Sequence, residues 1–373
     1  MLRTRARGVG SLTAAAAVLI LAGAMSLAWG QQEKAAEKGE MGTAFHVPEV
    51  KMLLANLAVD PPRTHKNMLV FPIRFSGKQA PGEWAVLDDA AAAGELKVSE
   101  KDQASVPEVL MENTGAKSVL IMSGEIIKGG KQTRMAAKDT VIETKGIVAV
   151  AVFCVEQHRW SGGKDFNAST NMAPANIKAS VMRGAGQAEV WEGVRAMNRT
   201  LAPAAAPPTE SLEEGLESPE ARQRKEAAHK ALGKFSPPDT IGIAVADGRT
   251  GRVVGLELFG RRDLFERLQE KLIEGYALDL VAASGEWKDA DAKKVAEKDV
   301  EAFIARVLDG TSKYEDTPGS GRGIDLVSGT IRGKGVALGT IAIHLSIQDL
   351  QAPLTPAKPF VDRPTLPRGP VGR

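Results

Sequence analysis

Between residues 106 and 156 the chain is cut into apolar runs of strand length, and this punctuation constrains its fold more than any other feature. VPEVLMEN (106 to 113), SVLIMSGEII (118 to 127), KQTRMAA (131 to 137), DTVIE (139 to 143) and GIVAVAVFCVE (146 to 156) are separated by Gly, Asn, Asp and Lys. Such runs are too short for the apolar face of a helix, so five antiparallel strands in a meander are predicted. The last run is apolar at both alternations, as a strand buried on both faces requires. MLVFPIRF (68 to 75) is an earlier strand, with Pro72 placing it at an edge or a bulge. VLDDAAAAGEL (86 to 96) reads as a short helix between them.

From Gly186 the period changes. Val190, Trp191, Val194, Met197 and Leu201 mark one face of an amphipathic helix. LAPAAAPPTESLEEGLES (201 to 218) reads as a linker, and a helix follows with Ser218 as N-cap, Pro219 at its first position and a stop at Gly233. DTIGIAVADGRTGRVVGLELF (239 to 259) predicts two strands around a turn at Asp247-Gly248. Helices then carry Leu264, Leu268, Leu272 and Tyr276, and Val300, Phe303, Ile304, Val307 and Leu308, before the last strands in 333 to 347. Strands grouped first and helices mixed in later give an α+β protein, an antiparallel β-rich sheet or sandwich with several packed helices.

The ends differ from this body. Arg3, Arg5 and Arg7 precede an uncharged run from Gly8 to Gly30 that closes in Ala28-Trp29-Gly30, the pattern of a secretory signal peptide cleaved before Gln31. The competing reading is an uncleaved anchor, because the run reaches the roughly 20 residues that a membrane span needs. No cysteine lies near the junction, so a lipoprotein is excluded. The expected organisation is a leader (1–30), a flexible segment (31–55), one domain over 56–348 and a disordered tail (349–373). Within the domain we expect a β-rich part (56–200), the linker and an α/β part (219–348). The expected location is periplasmic or extracellular.

The leader holds three of the 48 basic residues and none of the 46 acidic ones, so the rest carries a net charge of −1. Nucleic acid is therefore not an expected partner, since binding it needs clustered Lys and Arg. Cys154 is the only cysteine, so no internal disulfide can form, and its place in an apolar strand makes it a buried structural thiol. Histidines 46, 65, 158, 229 and 344 are scattered, with no HExxH or CxxC spacing, so neither a metal nor a cofactor is expected.

GEIIKGGKQTR (124 to 134) resembles a phosphate loop until its spacing is counted. Gly130 stands where the lysine should follow Gly129, Gln132 replaces the metal-binding hydroxyl, and the sequence after Lys131 is strand-like. A hairpin turning at Gly129-Gly130 fits better. That register sets Lys128 against Lys131, Ile127 against Gln132 and Glu125 against Arg134. The facing lysines are relieved by solvent or by a bound anion.

Taken in order, GEIIKGGKQTR, CVEQHRW (154 to 160), GRVVGLELF (251 to 259) and GYALDL (275 to 280) resemble the ARG and rhodanese-phosphatase-superfamily-associated protein domain, a prokaryotic family of unassigned activity. The resemblance spans about 59 to 347. The positions matching its pattern are Gly124, Glu125, Gly129, Lys131, Gln132, Arg134, Glu156, Gln157 and Trp160, while Lys128 departs from the usual apolar residue. The family's association with ADP-ribosylglycohydrolases implies ADP-ribose or NAD-linked chemistry. Strand GIVAVAVFCVE emerges from the core at EQHRW, so we expect one cleft to hold Glu125, Lys131, Gln132, Arg134, Glu156, Gln157, Trp160 and His344. Glu125 and Glu156 would act as acid, base or acceptor, and the other residues would hold a small anionic ligand such as ADP-ribose, a nucleotide or a sugar phosphate. The alternative is a non-catalytic extracytoplasmic scaffold in which the same residues form an internal salt-bridge network.

Overall fold

The computed structural model describes residues 45–101, 107–201, 206–282 and 292–351. In chain order its first elements are α1 (Pro48–Leu54), β1 (Leu57–Val59), β2 (Arg63–His65), β3 (Met68–Phe75), β4 (Trp84–Val86), α2 (Leu87–Ala92), β5 (Leu96–Ser99) and β6 (Glu108–Asn113). Six strands follow, β7 (Ser118–Ile121), β8 (Glu125–Gly129), β9 (Arg134–Ala136), β10 (Thr140–Ile142), β11 (Ile147–Cys154) and β12 (Asp165–Met172). Then come α3 (Ala175–Met182), α4 (Gln187–Leu201), α5 (Leu212–Leu216), α6 (Pro219–Leu232), β13 (Thr240–Asp247), β14 (Arg252–Phe259), α7 (Arg262–Ala282) and α8 (Glu297–Leu308). The last four strands are β15 (Thr311–Glu315), β16 (Arg322–Ser328), β17 (Ile331–Leu338) and β18 (Ile341–Asp349).

The protein is α+β, built on a nine-stranded sheet and a closed six-stranded barrel. The sheet runs β1-β3-β13-β14-β18-β17-β16-β15, with β2 also on β3. IGIAVA in β13 is apolar at every position because both faces are covered. Ile243 and Val245 meet Leu264, Leu268, Leu272 and Tyr276 of α7, and Ile241 and Ala244 meet Val300, Phe303 and Val307 of α8 and Val50 of α1. Each fully buried side chain of this size contributes roughly 1.5–3 kcal/mol. Pro72 lies inside this sheet, paired with Ile243. Its carbonyl accepts from Asp60 N–H, so its missing N–H falls on the side where β1 has ended and β2 has not begun.

The expected meander is corrected. The barrel order is β11-β6-β5-β12-β8-β9, while β7 pairs with β10 and, in parallel, with β4. Of the runs expected to form the meander, only β8 and β9 pair as neighbours in a hairpin, and its register differs by two residues: Ile127 faces Arg134 and Ile126 faces Met135. The glycines do not close a two-residue turn because distant groups engage the loop. Gly130 N–H donates to Asp165 carbonyl and Lys131 N–H to the Glu100 carboxylate.

The expected organisation is corrected as well. The described part of the segment read as flexible holds α1, with Val50 and Leu53 buried. Strands β1 to β3 join the C-terminal sheet rather than the barrel. The stretch read as a linker is packed from Ser211 onward, where Leu212 and Leu216 of α5 are buried and Ser211 bridges to Glu156. The leader and all of the tail beyond 351 lie outside the described residues, among which no helix is long and apolar enough to cross a membrane.

Candidate functional site

The residues expected in one cleft divide into three places. The first is the end of the barrel, where GEIIKGGKQTR and EQHRW do meet. Gln132 Nε2 donates to the Glu156 carbonyl at 2.9 Å, and Thr133 N–H donates to Glu156 Oε2 at 2.9 Å. Arg159 grips both Glu156 oxygens at 2.7 Å and reaches the carbonyls of Gly129 and Gly130. Burial would raise the Glu156 carboxyl, but the bonds from Arg159 and Thr133 outweigh it and hold the group below its usual range. Gln157 takes Arg195 at 2.7 Å. Lys131 and Arg134 lie over the half-exposed Trp160 indole, 5.4 and 5.7 Å from its centroid.

Glu125 is elsewhere, sealed between the barrel and α7. It accepts from Met122 N–H at 2.9 Å and from Lys271 at 3.3 Å, while Lys271 also holds Asp88 at 2.6 Å. Burial pushes the Glu125 carboxyl up to about 7 against the pull of Lys271. The expected Glu125–Arg134 pair is thus absent, and Arg134 instead has Glu100 3.8 Å away.

His344 belongs to a third group, which the sequence reading did not assemble. From β18 its Nδ1 donates to Asp139 at 2.6 Å and its Nε2 to Glu257 of β14 at 3.3 Å. Glu257 also accepts from Lys178 of α3 at 2.7 Å and from the Tyr276 hydroxyl of α7 at 3.2 Å. All five side chains are buried, none more than 6% exposed. Burial alone would lower the imidazole, yet Asp139 and Glu257 hold it at about 9, so it is an imidazolium at neutral pH. Burial would raise Glu257, and the charges of Lys178 and His344 bring it down to about 2.

Two glycines make these contacts geometrically feasible. Gly124 has φ +96, and a Cβ there would lie 3.0 Å from the Lys178 stem. At Gly255 a Cβ would lie 2.5 Å from the Tyr276 hydroxyl. The legible clue to this network was Glu257 itself, a carboxylate flanked by leucines in a strand run, which must find cations if it is buried.

Asp139 connects the network to a pocket of about 260 Å³. One wall is apolar, with Phe153 and, at the C-terminal end of α3, Val181 and Met182; the other carries Lys138, Asp139, Glu315 and Lys334. Lys334 is paired with Glu315 at 2.8 Å and Asp325 at 3.0 Å. Asp139 accepts Ser123 N–H at 2.8 Å on its other oxygen. Of the residues expected to form the site, none lines this pocket directly; His344 lies behind Asp139.

A family model described as "ARG and Rhodanese-Phosphatase-superfamily-associated Protein domain" matches residues 56–348. No curated protein and no solved structure matches the chain.

Proposed function

The chain belongs to the ARG and Rhodanese-Phosphatase-superfamily-associated Protein domain family, and from that premise we propose that it binds a small sugar-phosphate-like ligand between Asp139 and Lys334, outside the cytoplasm. The observation that carries this reading is the burial of five polar groups, Asp139, His344, Glu257, Lys178 and Tyr276, behind one wall of a concave pocket. Burying charges costs several kcal/mol per ion before pairing offsets it, and perturbed groups beside a cavity mark functional sites more often than plain core.

The chemistry of the walls selects the ligand. A volume of about 260 Å³ falls just below the ~300 Å³ lower end of ligand pockets, which suits one ring and its substituent rather than a whole dinucleotide. Phe153, Val181 and Met182 would take the ring face. Asp139 would accept a hydroxyl, and Lys138 and Lys334, both partly exposed, would hold the anionic group in competition with Glu315. The reading is of binding rather than turnover, because Glu156 is clamped by Arg159 and Glu125 is sealed on Lys271. The arginine-rich start and the Ala28-Trp29-Gly30 junction support the extracytoplasmic location.

The test is a thermal-shift screen of protein collected outside the producing cells, its intact mass first showing whether about thirty residues have been removed. Ribose 5-phosphate, glucose 6-phosphate and ADP-ribose are compared with the uncharged sugars. A phosphorylated sugar should raise Tm saturably by a few degrees, as expected for ligand well above its Kd. Lys334→Gln should abolish that shift while leaving ligand-free Tm nearly unchanged. The binding reading is overturned if no compound stabilises the protein or if the variant responds like the parent. Retention of the intact leader in the membrane fraction would overturn the location alone.

A further inference from the structure

At the end of the barrel, Arg134 differs from its neighbour Arg159 in the donors it leaves unused. Arg159 beside it uses all three of its nitrogens, making five hydrogen bonds. Arg134 is fully buried and uses only Nη1, which donates to Gln132 Oε1 at 2.9 Å. Its Nε and Nη2 have no hydrogen-bond partner among the described residues. Those two nitrogens carry the parallel N–H groups of the guanidinium's side-on edge, the fork that receives two oxygens of one oxyanion.

Glu100 does not fill that fork. Its Oε1 is held by Lys131 N–H at 3.1 Å and stays 3.8 Å from Arg134 Nη2, beyond hydrogen-bond range. Glu100 is buried too, and its Oε2 has no partner among the described residues. One cation edge with two unused donors and one carboxylate oxygen with an unused acceptor site thus lie together in the interior. Leaving a buried polar group unmade costs about 1–3 kcal/mol, more when it is charged. The half-exposed Trp160 indole lies beside this place, with Arg134 5.7 Å and Lys131 5.4 Å from its ring centroid.

We propose that Arg134, Glu100 and Trp160 form a second binding site, distinct from the pocket at Asp139, for a small oxyacid anion that retains one O–H, of the bicarbonate or hydrogen phosphate class. Two oxygens of the anion accept from Arg134 Nε and Nη2, and its O–H donates to Glu100 Oε2. An anion lacking the O–H satisfies the fork but meets Glu100 as an uncompensated like charge. Entry requires Trp160 to swing outward, which its exposed position allows.

The experiment uses full-length protein labelled with 5-fluorotryptophan, the Trp160 resonance being assigned with Trp160→Phe. Sodium bicarbonate, sodium phosphate and sodium formate are titrated at pH 8, with chloride holding ionic strength constant. The Trp160 signal should shift saturably with bicarbonate or phosphate and need several-fold more formate, and the tighter of the first two identifies the occupant. Arg134→Lys, which keeps the charge but loses the fork, should abolish saturation. Should that variant fail to fold, Glu100→Gln decides, because its amide can meet either anion and should erase the preference over formate. The proposal is wrong if no anion moves the resonance, if chloride moves it equally, or if Glu100→Gln leaves the preference intact.

Discussion

Replacing Glu257 by Gln tests whether the buried network holds the nine-stranded sheet to its helices. The carboxylate is inaccessible to solvent and receives Lys178 at 2.7 Å, Tyr276 at 3.2 Å and His344 at 3.3 Å. Burial opposes its ionisation, but the cations bring its pKa from 4.5 to about 2, which at about 1.4 kcal/mol per unit is a net stabilisation of about 3 kcal/mol. Glutamine removes the charge and leaves the Lys178 ammonium, itself 3% exposed, without its ion-pair partner. Stripping one member from a buried pair costs about 3–5 kcal/mol, so both routes predict a loss of about 3–4 kcal/mol. Urea unfolding at pH 7 measures it as a lower midpoint at unchanged slope. Adding Lys178→Met removes the stranded ammonium and should restore about half of the loss. A cost below about 1 kcal/mol, or a double variant no more stable than Glu257→Gln alone, would refute the reasoning.

The other predictions concern the same network and its neighbours. Gly255→Ala places a methyl 2.5 Å from the Tyr276 hydroxyl and 2.9 Å from the Ile347 carbonyl, so it should cost about 2–4 kcal/mol. Gly163→Ala, with open space around it, should stay within about 0.5 kcal/mol, and equal urea midpoints for the two would sink the packing argument. Stability should also fall as pH rises. His344 has its pKa raised from 6.5 to about 9, so its contribution is full below 6.5 and is lost as pH climbs through 9. Burial raises Asp279 from 3.8 to about 8 against N–H donors at the start of α3, which removes stability between those values in the same direction. His344→Gln should flatten the decline between pH 6.5 and 9 by about 3 kcal/mol. Urea midpoints at pH 6, 7.5 and 9 that fail to fall in the parent protein would count against both pKa assignments.

Elements whose signals are local were legible in the sequence. Ser218, Pro219 and Gly233 delimit α6 because cap, first-turn proline and terminal glycine act within a few residues of one another. The strands of TIGIAVAD type were legible because a sheet covered on both faces leaves no polar alternation. By contrast, β12 (DFNASTNM) escaped notice although it closes the barrel between β5 and β8. Its buried Ser169 and Asn171 bond to Glu213 and Lys225, so no apolar period marks its inner face. The two-residue error in the β8–β9 register has the same origin: Gly129-Gly130 favours a tight turn locally, and Asp165 at the start of β12 and Glu100 just after β5 win from a distance in sequence.

The candidate site was legible in its letters and not in its partners. GE contributes the glycine beneath Lys178, GLE the glycine beneath Tyr276 and the carboxylate itself, and GYALDL both Tyr276 and Asp279. Lys178 lies on a helix with no apolar period to announce it, and Asp139 stands just before a three-residue strand. Nothing in their own neighbourhoods says that they meet. Yet each glycine here is constrained by a polar chain reaching across it to the same carboxylate, so a side chain at Gly124 or Gly255 would also press on a partner of Glu257. Motifs far apart in the chain can therefore be held together by one buried charge, and Glu257, which receives contacts from α3, α7 and β18, is the residue on which that constraint falls.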